Sequence, residues 1–128
     1  MTTEQASAID LDRRAQVVVE ERPWGRFRQF SLNEPTTVKV ITIAGGQRLS
    51  LQRHQHRAEL WQALDEGVQA TVGGRTWTMA RDEVVWVPLG AAHRLTNLGG
   101  QDARVLELGF GHFDEDDIER LQDDYSRG

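Results

Sequence analysis

The sequence predicts an all-β barrel or sandwich, and three observations carry that prediction. Short apolar stretches with strand-like alternation recur along most of the chain, turn residues interrupt them at short intervals, and a helical period is visible only at the C-terminal end. Strands this short and this closely spaced fold back on one another instead of alternating with helices.

The elements follow in chain order. Residues 1–16 are polar and aperiodic, so a flexible N-terminal arm is expected there, with residues 17–128 forming a single domain. Arg22-Pro23-Trp24-Gly25 leads into a strand over 26–30, and 38–43 alternates with Lys39 on the other face. Gly45-Gly46 turns the chain into a strand over 49–56. After 59–64 come 68–72 and 75–79, joined by Gly73-Gly74 as a two-residue hairpin. Strands over 83–87, 93–96 and 104–108 complete the set. A short C-terminal helix is expected over about 115–125, because Asp114 can cap it, acidic residues crowd its first turn, and Ile118, Leu121 and Tyr125 share a face.

Composition excludes several classes. The chain has 128 residues, no Cys and a formal net charge of −5. Thiolate metal sites and disulfide staples are therefore absent, and a reducing, cytoplasmic setting is expected. The acidic balance argues against a nucleic-acid partner, since phosphate backbones require a positive footprint. No apolar run reaches the length of a membrane span, and the N-terminus lacks a basic region followed by a hydrophobic one. Any anionic ligand must be gripped locally.

Two segments concentrate the chemistry: Gln52-Arg53-His54-Gln55-His56-Arg57-Ala58-Glu59 and Pro88-Leu89-Gly90-Ala91-Ala92-His93. On a strand, Gln52, His54 and His56 point the same way, and Glu59, opening the next strand as an antiparallel neighbour, returns beside His54. A Pro-Leu-Gly turn then delivers His93 inward. Chance clustering of surface histidines is the competing reading, but three of the four histidines fall in these segments with a carboxylate at strand spacing. Imidazoles and a carboxylate are the donors a divalent ion takes, zinc first, with manganese, iron, cobalt or nickel as alternatives. A sphere that keeps a place for water or substrate does not need all five side chains, so one of Gln52 and His56 supports the others.

The residues also carry a family resemblance. Gly46 followed by Gln52-x-His54 and Glu59, then Pro88-x-Gly90-x-x-His93-x-x-x-Asn97, is similar to the two motifs of the cupins, small double-stranded β-helix (jelly-roll) barrels that hold a metal. With Arg22-Pro23-Trp24-Gly25 and the acidic run around Glu115-Asp116-Asp117-Ile118, the chain more narrowly resembles the C-terminal cupin of type II mannose-6-phosphate isomerases that also carry mannose-1-phosphate guanylyltransferase activity. The resemblance implies Gln52, His54, Glu59 and His93 as metal ligands and leaves His56 as a substrate-facing or alternative one. Three departures stand out: Glu66 and Asp82 replace motif glycines, and 109–113 lacks the family's usual Gln and Tyr-Leu-Gly.

From this resemblance the expected activity is a metal-dependent isomerase interconverting mannose 6-phosphate and fructose 6-phosphate. The metal would polarise the sugar carbonyl, and His56 or Glu107 would move the proton. Lys39, Arg57 and Arg94 would hold the phosphate, and Trp61, which alternates with Glu59, would face the sugar. Small cupins commonly pair, so a homodimer is expected. The alternative is a non-catalytic cupin that binds a sugar nucleotide or a small acid, favoured by the altered 109–113 segment; an iron-dependent, oxygen-using enzyme is a third reading.

Overall fold

The computed structural model describes residues 11–125, so residues 1–10 of the expected arm lie outside the described residues. Its strands are Val18–Arg22 (β1), Gly25–Gln29 (β2), Thr37–Ile43 (β3), Leu51–Arg53 (β4), Arg57–Ala63 (β5), Val68–Val72 (β6), Arg75–Thr78 (β7), Val84–Val87 (β8), His93–Asn97 (β9), Ala103–Gly111 (β10) and Glu119–Gln122 (β11). All pair antiparallel, in one sheet ordered β3-β10-β5-β8, a second ordered β11-β4-β9-β6-β7, and a separate β1-β2 hairpin. This is the all-β double-stranded β-helix that the motifs imply.

The two larger sheets bury their facing sides against one another. Ile43, Trp61, Ala63, Val85, Val87 and Val105 from the first sheet meet Val68, Ala70 and Leu95 from the second in one apolar cluster. β5 is buried on both faces, because its other side joins Ala58 and Leu60 to Trp86, Leu108 and Phe110 in a second cluster. Burying a large apolar side chain is worth about 1.5–3 kcal/mol, and this explains why Leu60 and Trp61, on opposite faces of β5, are both apolar. Arg13–Gln16, expected within the arm, form a 3-10 turn whose Arg13 guanidinium lies 4.2 Å above the Phe110 ring and pairs with Glu34.

The expected C-terminal helix is not present. Asp116 donates its N–H to the Asp114 carboxylate and Asp117 to the Asp114 carbonyl, which makes a turn, and Glu119–Gln122 then add a strand to β4. A helix this short is marginal in water, whereas β4 offers an open edge and matching side chains. Arg53 grips Glu119 through two bonds of 2.8 and 3.0 Å, and Arg94 bonds the Gln122 side chain at 2.8 Å. Tertiary pairing therefore overrides the local period. The strand expected over 49–56 is regular only at 51–53, and β4 and β5 are not neighbours: residues 54–56 carry the chain from one sheet to the other.

That crossing is packed tightly against the end of β10. Gly111 has φ of 111°, and a Cβ there would lie 2.3 Å from the His56 carbonyl oxygen. Gly111→Ala is expected to cost roughly 2–4 kcal/mol in urea denaturation, as strained or overpacked sites do. A change within 0.5 kcal/mol, the range of ordinary surface substitutions, would contradict this packing.

Candidate metal centre

Glu59 on β5, His93 on β9 and His54 in the crossing come from different parts of the fold and meet inside the barrel. One donor atom from each lies within 4.8 Å of the others, and the three residues are 2, 3 and 3% exposed. Glu59 does not reach His54 as a strand neighbour, as expected from the sequence. It projects from the opposite sheet, leaving Oε1 4.0 Å from His54 Nε2 and 3.0 Å from His93 Nε2.

Hydrogen bonds behind the imidazoles set which nitrogens face the cluster. His54 Nδ1 lies 2.7 Å from the Asp117 carbonyl, and His93 Nδ1 lies 2.9 Å from the Ala91 carbonyl. A carbonyl accepts only, so both Nδ1 atoms carry a proton; Nε2 of His54 accepts from Arg57 Nη2 at 3.2 Å, and Nε2 of His93 faces Glu59. Glu59 Oε1 is buried and makes no hydrogen bond. An acceptor without a donor in a buried site favours positive charge beside it, whether a proton on His93 or a bound cation. Burial alone would depress His93, but the adjacent Glu59 carboxylate outweighs it and raises its pKa; burial depresses His54. Burial likewise disfavours the Glu59 carboxylate, yet His93 holds its pKa low.

The crossing is held from two directions. The Asp117 carboxylate accepts from the Gln55 and His56 N–H groups at 3.0 and 2.9 Å, and Gly90 donates to the His54 carbonyl at 2.8 Å. Gly90 takes φ of 76° in a turn closed by the Ala91 N–H on the Pro88 carbonyl, so the two sequence motifs are bonded to one another. Asp117 carries no sign of this role in its local period, where it reads as part of an acidic helix turn.

A cavity of about 230 Å³ opens onto His54, Glu59 and His93 and is also lined by Gln52, Lys39, Arg57 and Glu107. Gln52 sits opposite His93 in the β4–β9 register, which leaves it beside the cluster as expected. Arg57 is 8% exposed, with Nη2 3.2 Å from His54 Nε2 and Nε 3.7 Å from Glu59 Oε2. Lys39 Nζ and Arg57 Cζ both sit over the Phe113 ring, at 4.3 and 4.4 Å from its centre. Arg120, which the sequence reading did not single out, lines the same cavity.

Three expected site residues are placed elsewhere. His56 is exposed in the crossing and does not line the cavity, because strand alternation ends at Arg53. Arg94 does not line the cavity and bonds the Leu49 carbonyl at 2.9 Å and Gln122, so it fastens β11 to the barrel. Trp61 is 1% exposed in the core; its ring packs edge-on to His93 at 5.7 Å and its indole N–H donates to Glu107 at 3.2 Å. Burial first, then repulsion from Glu59, pushes the Glu107 carboxyl up to about 8. Glu107 lines the cavity but is engaged by Trp61 and Glu59.

Comparison with known proteins follows from this geometry. The family described as "Mannose-6-phosphate isomerase C-terminal" matches residues 11–123. The alginate biosynthesis protein AlgA of Pseudomonas aeruginosa is 38% identical over 107 residues, and the mannose-1-phosphate guanylyltransferase ManC of Salmonella typhimurium is 36% identical over 107 residues. Each alignment covers 83% of this chain and 22% of the relative, so the chain spans about a fifth of the length of these curated relatives. Among solved structures, the capsular polysaccharide assembling protein CapF from Staphylococcus aureus superposes with a TM-score of 0.63 at 20% identity, covering 83% of this chain and 34% of that one. A double-stranded β-helix protein from Klebsiella pneumoniae gives 0.59 at 15% identity, covering 66% and 73%. The expected isomerase activity is corrected here: the relatives are named for guanylyl transfer and polysaccharide biosynthesis, not for isomerisation, and the binding alternative fits better. The chain belongs to the mannose-6-phosphate isomerase C-terminal family.

Asp117 gives a test of how the crossing is held. Burial works against its charge, but the Gln55 and His56 N–H groups outweigh this and lower its pKa. A depressed carboxylate stabilises the fold above its unfolded pKa and ceases to do so as pH falls through the folded value. Asp117→Ala is therefore expected to cost about 1–2 kcal/mol at neutral pH, a solvent-screened pair of charge-assisted bonds. That deficit should vanish as pH falls below about 4, the ordinary carboxylate range, in chemical denaturation across pH. A deficit that does not change with pH would mean that the carboxylate does not hold the crossing.

Proposed function

We propose, with membership of that family as premise, that this chain is a metal-holding cupin that binds a sugar phosphate without converting it. The observation that carries the reading is the orphaned Glu59 Oε1, buried within 4.8 Å of one nitrogen each of His54 and His93, whose Nδ1 protons backbone carbonyls hold on the far side. The donor set suits zinc first and accepts manganese, iron, cobalt or nickel, with His54, Glu59 and His93 as ligands and Gln52 as the adjacent fourth. When bound, such an ion supplies a Lewis-acid contact for a sugar oxygen.

The chain's own residues would do the remaining recognition. Lys39 and Arg57 share the Phe113 ring at the cavity, so two cations stand ready for one phosphate, and the Arg57 fork suits bidentate contact. The ring fixes both side chains and lowers the entropy lost on binding. Mannose phosphates are the proposed ligands, because relatives sharing 83% of the chain are named for mannose 1-phosphate chemistry. Binding without turnover is supported by the placement of the two candidate bases, His56 outside the cavity and Glu107 held by Trp61 and Glu59.

Calorimetry and product analysis test this reading together. The wild-type chain should bind mannose 1-phosphate only when metal-loaded, and Lys39→Ala or Arg57→Ala should weaken it about tenfold, or about 1.4 kcal/mol. Metal affinity should fall as pH drops through the imidazole range, since the ligands must be deprotonated. Mannose 6-phosphate incubated with loaded protein should yield no fructose 6-phosphate. Binding that survives chelation would remove the metal from the account, and turnover would refute the non-catalytic reading.

A further inference from the structure

Arg57 belongs to both halves of the candidate site. Its Nη2 donates to His54 Nε2 at 3.2 Å, its Nε lies 3.7 Å from Glu59 Oε2, and its Nη1 donates to the Asp114 carbonyl at 3.3 Å. The Phe113 ring that it shares with Lys39 supports the guanidinium from one face. Arg57 Nε is buried and makes no hydrogen bond. Nε and Nη2 together form an edge that grips carboxylate or phosphate oxygens in pairs, and here that edge faces His54 and Glu59 with one donor used and the other unanswered. An unsatisfied buried donor on a cation is costly, so the present partners hold this edge less well than two anionic oxygens would.

We infer that Arg57 couples metal binding to anion binding, because its guanidinium and a metal ion compete for the same His54 lone pair and the guanidinium so released takes a phosphate monoester. The inference rests on the preceding reading of the cavity and adds how its two halves communicate. With its Nδ1 proton held by the Asp117 carbonyl, His54 has a single lone pair at Nε2, which it gives either to Arg57 or to an ion and never to both. Once His54 and Glu59 ligate an ion, the Nε–Nη2 edge has no acceptor and stands beside a second positive charge. Two phosphate oxygens answer both donors, while the Phe113 ring and the Asp114 carbonyl keep the side chain at the cavity wall. Linkage makes the effect reciprocal: a phosphate that holds Arg57 leaves His54 free for the ion and tightens its binding. Lys39 stands over the same ring with no ion pair to Glu59 among the described residues, so it adds charge for the phosphate without entering the exchange.

Zinc titration calorimetry of the full chain, with and without saturating mannose 1-phosphate and at one pH above the imidazole range, tests the exchange in the wild type, Arg57→Ala, Lys39→Ala and Arg57→Met, which keeps bulk against Phe113. In the wild type, mannose 1-phosphate should tighten zinc binding about tenfold or more, a coupling of the size usual between linked sites. Both Arg57 variants should bind zinc about tenfold tighter than the wild type without the sugar phosphate, because His54 then has no rival donor, and should lose most of the gain that mannose 1-phosphate brings. Lys39→Ala should keep that gain, reached at higher mannose 1-phosphate concentration. A full gain in both Arg57 variants would mean that the ion alone draws the phosphate, and would overturn the inference while leaving the preceding reading intact. Zinc binding weakened in both Arg57 variants, or a gain lost equally in Lys39→Ala, would overturn it in the same way. Wild-type chain that binds no zinc, or binds it with no response to mannose 1-phosphate, would overturn both.

Discussion

A carboxylate oxygen with no hydrogen bond, buried beside two imidazole nitrogens, is the constraint around which the barrel is arranged. In a low-dielectric interior such a set is stable only with positive charge among its members. The Glu59 carboxylate raises the pKa of His93 against its burial, and a divalent ion at the same place would answer the same need for positive charge. Arg57 stands next to the same atoms and balances the remaining Glu59 oxygen at 3.7 Å. The cavity is therefore acidic at its floor and cationic toward Lys39 and Arg57, an order that suits a sugar oxygen below and a phosphate above.

Backbone architecture makes this convergence possible. Two sheets place β5 and β9 on opposite sides of the interior, and the crossing at 54–56 closes the gap between them. Asp117 and Gly90 then fix the crossing through backbone groups on both sides of His54. Such bonds orient the His54 imidazole from behind, as carbonyl and carboxylate partners do for metal-bound histidines elsewhere. β11 matters for the same reason: by adding to β4 it brings Ile118 and Arg120 over the cavity.

Much of the fold is legible in the sequence because alternation and turn chemistry are local signals. Gly73-Gly74 encodes its hairpin directly, and Asp82, standing where the motif has Gly, adopts φ of 69°, a backbone state that Gly takes freely and Asp tolerates. The meeting of His54, Glu59 and His93 is legible because the two motifs that hold them are brought together in the barrel. Periodicity does not reveal which sheet a strand joins, so Glu59 was expected beside His54 and instead faces it. Nor does it reveal where a strand ends, which placed His56 in the cavity when it lies outside. Arg94, expected at the phosphate, instead fastens β11, and Arg120, which no sequence signal marked, lines the cavity, because the pairing of β11 with β4 decides both placements. That pairing competes with a helical pattern and prevails by tertiary contacts that local sequence does not contain.

X-ray absorption on the zinc-loaded chain tests the central claim most directly. The account predicts a low-coordinate shell with two imidazole nitrogens at about 2.0–2.1 Å and at least one carboxylate oxygen, with the imidazole scattering reduced in His93→Ala. A shell of water oxygens without imidazole scattering, or one indifferent to His93, would contradict it.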